Sequence, residues 1–81
     1  MTEQEARGKA HEARGQLALT NEWQISGAEK RLIELPEGFP EQPTRVRDCL
    51  AWIVRFINGP FWVDLAIDDA SGDVVRVERS R

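Results

Sequence analysis

The chain has a single cysteine, Cys49, among its 81 residues, so no internal disulfide can staple it. It has a single histidine, His11, with no second histidine or suitable cysteine nearby, which excludes a zinc site of the usual imidazole and thiolate kind. Positive charge is not in excess: 11 Lys and Arg face 14 Asp and Glu, a net charge of −3. That balance argues against a broad footprint for nucleic-acid phosphates. No apolar run approaches the ~20 residues of a membrane span, so no membrane partner is expected. There is no glycine-rich phosphate loop, and no nucleophile elbow surrounds Ser26, Ser71 or Ser80. Catalysis is therefore a poor reading, and no catalytic residue, metal ligand or cofactor is assigned.

The N-terminus, from Met1 to Arg7, is charged and lacks the apolar core of a signal peptide. The expected location is cytoplasmic, or exported if a leader has been trimmed. At 81 residues the chain supplies one domain. A chain of this size buries only about 60–65% of the surface that its unfolded form exposes, so modest stability is expected.

What is present begins with an Ala/Glu/Arg-rich segment, residues 1–16, read as an N-terminal helix or tail ahead of a single α+β domain over residues 17–81. Thr2-Glu3-Gln4-Glu5 has the form of a capping box, in which a hydroxyl and a carboxylate satisfy free amides of the first helical turn. Ala6, Ala10, Ala13 and Leu17 fall on one helical face. Two glycines within this stretch weaken it, and a frayed helix or mobile tail is the expectation. Leu17, Leu19, Trp23 and Ile25 alternate with Ala18, Thr20, Glu22 and Gln24 as a short strand would, interrupted by Asn21. Ser26-Gly27-Ala28-Glu29 repeats the capping-box form, and residues 27–35 read as a short amphipathic helix with Ala28, Leu32 and Leu35 facing inward. Pro36, Pro40 and Pro43 make residues 36–44 a stiff loop, with a P-x-x-P spacing in an unsuitable acidic frame.

The last third carries the architecture. Three β-rich runs, Cys49–Ile57, Phe61–Ile67 and Asp73–Arg79, are separated by Asn58-Gly59-Pro60 and by Asp69-Ala70-Ser71-Gly72. This is the pattern of a three-stranded antiparallel meander, and the expected fold is α+β, one or more helices packed on that sheet. A four-residue loop from Ile57 to Pro60 pairs Phe56 with Phe61, Val54 with Val63, Trp52 with Leu65 and Leu50 with Ile67. A three-residue loop ending at Gly72, with Asp69 bonding the following amides, pairs Val75 with Ile67 and Val77 with Leu65. The predicted core face is Leu50, Trp52, Val54, Phe56, Phe61, Val63, Leu65, Ile67, Val75 and Val77. Val46, Leu50, Ile53 and Ile57 also fit a helical stripe after Thr44, so a helix competes with the first strand.

With these residues in view, Ala51-Trp52-Ile53-Val54 and Asp69-Ala70-Ser71-Gly72-Asp73-Val74-Val75, together with a helix at Ser26 to Leu35, resemble the PepSY domain over about residues 26–79. The resemblance implies a small non-enzymatic module that binds or restrains peptidases or peptides.

The opposite face of the meander carries Cys49, Ala51, Ile53, Arg55, Ile57, Trp62, Asp64, Ala66, Val74, Arg76 and Glu78, more apolar than a solvated face ordinarily is. Arg55 sits opposite Trp62 in the predicted register, a geometry for a cation–π contact. Aromatic and Arg residues dominate binding hot spots. Trp62, Arg55, Ile53, Asp64 and Arg76 are therefore the candidate partner-binding residues, for a protein, a peptide or a second copy of the chain. A stacking platform for single-stranded nucleic acid, using Trp62, Arg55, Arg76 and Arg79, is the alternative, disfavoured by the net acidity. A subunit of an enzyme complex is a third reading. The cluster Asp64, Asp68, Asp69 and Asp73 reads as turn caps and ion-paired carboxylates. Ala70 and Gly72 stand where a calcium loop needs ligands.

Overall fold

The computed structural model describes residues 1–36 and 46–80. One helix, α1 (Glu3–Ala13), precedes four strands: β1 (Gln24–Pro36), β2 (Val46–Asn58), β3 (Phe61–Asp68) and β4 (Val74–Arg79). They form one antiparallel sheet in the order β1-β2-β3-β4. The expected three-stranded sheet covered by helices is thus corrected, among the described residues, to a four-stranded meander with a single helix.

The extra strand is the segment expected to be helical. Residues 27–35 lie within β1, and β1 pairs with β2 from Gln24↔Ile57 to Pro36↔Val46. The Ser-x-x-Glu box offered at most one or two local hydrogen bonds, whereas a 13-residue β2 offers a partner along the whole segment. Pairing across the sheet overrides the local helix signal. The same pairing settles β2 as a strand and not a helix. The predicted loop and its P-x-x-P spacing fall mostly on residues 37–45, outside the described residues.

The capping box at the chain start forms as read. Thr2 Oγ1 accepts from the Glu5 amide at 3.2 Å, and Glu5 Oε1 accepts from the Thr2 amide at 3.0 Å. An 11-residue helix is marginal alone, and packing sustains this one. Ala6 and Ala10 are fully buried against Val54, Phe56, Val63, Leu65 and Ile67. The small side chains of Ala6 and Ala10 let the helix backbone approach the sheet closely. Residues 14–23 do not form the expected strand; they turn back over the same core through Leu19. Arg14 holds that turn, donating to the Trp23 carbonyl at 2.8 Å and lying 5.5 Å from the centre of the Phe56 ring.

The predicted core face stands for Trp52, Val54, Phe56, Val63, Leu65 and Ile67. The expected pairing between β2 and β3 is displaced by two residues: Phe56 faces Val63, Val54 faces Leu65 and Trp52 faces Ile67. The cause is the turn. Gly59 and Pro60 form a two-residue loop between Asn58 and Phe61, with Gly59 at φ +59°. Phe61 supplies the closing amide there, so the missing N–H of Pro60 costs nothing. In the second turn Gly72 takes the left-handed position as expected, at φ +78°. Asp68, not Asp69, caps it: its Oδ1 accepts from the Ala70 and Ser71 amides at 2.8 and 3.2 Å. Leu65 faces Val77 as predicted, but a bulge puts Val74 opposite Ile67. Val75 consequently packs on the opposite face. Leu50, Phe61 and Val77, predicted core, are 43%, 52% and 36% exposed.

Candidate interaction face

The sheet face away from α1 holds a second, smaller apolar cluster: Ile33, Leu35, Cys49, Ala51 and Ala66, with Ile53 and Val75 beside it. Ile53 thereby has a packing role as well as a surface one. The predicted excess of apolar residues on this face is largely this cluster.

Next to it stands a polar assembly. The shifted pairing places Arg55 directly opposite Asp64 and leaves Trp62 on the diagonal, opposite Ile57. The expected direct pair of Arg55 and Trp62 is corrected accordingly, yet the two still meet. The guanidinium lies 4.5 Å from the Trp62 ring centre and donates from Nε and Nη2 to the two Asp64 oxygens at 2.7 and 2.8 Å. A bidentate pair fixes the plane of the guanidinium, and that plane is what the indole stacks on. The hydrogen bonds to Asp64 push the Arg55 pKa further above its ordinary value. At the sheet end, Ser80 accepts the Trp62 amide through its Oγ at 3.0 Å and donates its own amide to the Trp62 carbonyl at 2.9 Å, which fastens β3 to β4 beside the stack.

Arg76, the remaining predicted residue, lies on the same face opposite Ala66 and pairs with Glu78 at 3.1 Å. Two residues that the sequence reading placed on a helix also belong here. Arg31 donates to both oxygens of Glu29 at 3.0 and 3.1 Å. Those hydrogen bonds hold the Glu29 carboxyl below its ordinary pKa and raise that of Arg31. The clue was present: Glu29 and Arg31 are two apart, the spacing of neighbours on one strand face and not on a helix.

Between β1 and β2 this face is notched. Gly27 faces Arg55 and carries no side chain, and an added Cβ there would meet nothing within 4 Å. Over it lies an open depression of about 320 Å³, bounded by Ser26, Glu29, Arg31, Ile53, Arg55 and Asp64. The extra residue at Ser26 breaks the β1–β2 pairing and widens the notch.

The other carboxylates have structural duties. Asp68 caps the turn, and those amides hold its pKa below the ordinary carboxylate range. Asp69 accepts from Trp52 Nε1 at 2.9 Å and from the Met1 amino group at 3.1 Å, with Lys30 Nζ at 3.7 Å. Among the described residues no group of three or more His, Cys, Asp and Glu is placed to hold a metal ion. No helix among them is long and apolar enough to cross a membrane. Comparison of the chain with protein-family models, curated proteins and solved structures finds no match in any of the three.

Proposed function

We propose that the chain is a non-catalytic module that binds a protein or peptide segment on the face bearing Arg55, Trp62 and Asp64. The carrying observation is the preorganised pair: the Arg55 guanidinium is held over the Trp62 indole by Asp64, and Arg55 and Asp64 also bound the open depression beside Gly27. Ordering such groups beforehand removes part of the entropy cost of association. Tyr, Trp and Arg are the side chains whose burial at an interface contributes most.

The charge pattern favours a polypeptide over nucleic acid. Arg31, Arg55 and Arg76 are each paired with a carboxylate, so this face offers no surplus positive charge for phosphates. Paired carboxylates also make poor general acids or bases, since none of Glu29, Asp64 and Glu78 is isolated in an apolar setting. The resemblance of Ala51–Val54 and Asp69–Val75 to the PepSY domain implies the same class. The helix expected for that resemblance at Ser26 to Leu35 is a strand here.

The test is selection of peptides from a display library against the folded chain, followed by titration of the best binder into labelled protein. Shifts centred on Ile53, Arg55, Asp64 and the Trp62 indole, with at least a tenfold loss of affinity in Trp62→Ala, support the reading. A binder that retains full affinity for Trp62→Ala overturns it.

A further inference from the structure

β1 is an edge strand of the described sheet, 13 residues long, and its outer side is free among the described residues. Edge strands of this length are ordinarily shortened, covered or broken, because unpaired peptide groups invite another strand.

The direction of those peptide groups follows from one hydrogen bond. The Asp69 amide donates to the Leu50 carbonyl at 2.9 Å, so the peptide groups of Leu50 face β3. In an antiparallel ladder they alternate, so Cys49 and Ala51 turn theirs toward β1 and bond with Ile33 and Arg31. The groups of Lys30, Leu32 and Glu34 therefore point away from the sheet. The side chains of these three residues share the face on which α1 sits, in line with Trp52, Leu50 and Asp48.

We infer that a second copy of this chain pairs with that edge, β1 against β1 and antiparallel, about a two-fold axis through Leu32. Continuation of a sheet requires residues of like facing to meet, so only whole-residue centres are allowed. A centre at Glu29, Lys30, Arg31 or Glu34 sets a charge against its own copy. A centre at Ile33 places Leu32 opposite Glu34 and wastes Lys30 on Pro36, which has no amide to give. Leu32 alone sets Lys30 opposite Glu34 twice and joins Leu32 to its twin.

Two exposed features of the single chain are resolved by that arrangement. Leu32 is 65% exposed beside Leu50, itself 43% exposed. The two-fold makes a row of four leucines across the seam. Glu34 lies directly opposite Asp48, a like-charged cross-strand pair. The Lys30 of the second copy enters that row and compensates it.

The measurement is solution mass by light scattering across a dilution series, with circular dichroism to establish folding. The wild-type chain is expected to have twice its 9.2 kDa mass. Glu34→Lys, which sets Lys against Lys on both sides of the axis while relieving Asp48, raises the dissociation constant at least tenfold. Mixing Glu34→Lys with Lys30→Glu restores the dimer, because every cross-axis pair is then opposite in charge. A monomeric wild type, or a Glu34→Lys dimer as tight as the wild type, overturns the inference. So does a dimer abolished by Trp62→Ala, which would assign the seam to the other face.

Discussion

The Arg55 guanidinium rests 4.5 Å from the centre of the Trp62 ring while its Nε and Nη2 edge is occupied by both oxygens of Asp64. The contact joins two strands on the face opposite α1, and Arg55 remains nearly half exposed. At such exposure a cation–π contact stabilises by about 0.5–1 kcal/mol. The assembly is therefore better suited to presenting groups than to holding the fold.

The helix side has the contrary character. Phe56 is fully buried and meets the His11 ring edge-on at 6.3 Å as well as Arg14. Phe56→Ala is expected to cost roughly 3–5 kcal/mol, a large share of what an 81-residue domain has. Urea denaturation followed by tryptophan fluorescence checks this, and a loss below 1 kcal/mol would mean that α1 is not seated on Phe56.

Much of this helix side was legible in the sequence, and the reason is local. Gly59 and Gly72 mark turns that require φ above zero, and alternation from Trp52 to Phe56 and from Val63 to Ile67 assigns the core face. A shift of two residues leaves that assignment intact, so the wrong loop at Gly59-Pro60 misplaced the partners without misplacing the faces. It did misplace the site, where Arg55 proved to face Asp64. β1 was illegible for a different reason. Its Ser26-x-x-Glu29 box is a short-range helix signal, and the strand that outweighs it lies beyond a proline-rich segment, where sequence spacing carries no information about pairing.

Stability should fall in acid through Asp68. Amides of Ala70 and Ser71 lower its pKa from an ordinary 3.8, so the folded state favours the carboxylate. The contribution is present in full above the unfolded value and disappears as pH falls through the lower folded value. Denaturation midpoints between neutral pH and pH 2 should drop more steeply for the wild type than for Asp68→Asn, which has no proton to take up. Parallel curves would remove Asp68 from the account.

Cys49 should resist thiol reagents. It is 4% exposed, and burial together with the Asp68 carboxylate, to which its Sγ donates at 3.5 Å, pushes the thiol above its ordinary pKa. Since the thiolate is the nucleophile, alkylation at neutral pH, read by mass spectrometry, should be slow until denaturant is added. Labelling at the rate of a free thiol would contradict the buried second cluster.

Gly72→Ala should destabilise by roughly 1–2 kcal/mol, the cost of a left-handed backbone for a residue with a Cβ. That Cβ would also stand 3.1 Å from Lys9 Cε, which must move aside. The same urea titration measures it, and an unchanged midpoint would show that the turn adapts.

Whether the Arg55–Trp62 contact belongs to a surface or to a core is decided by the denaturation free energy of Trp62→Ala. The variant should stay folded and lose no more than about 1 kcal/mol, the scale of one exposed stacking contact. A loss of several kcal/mol, or an unfolded chain, would make Trp62 a core residue and contradict the reading of this face as the place where a partner binds.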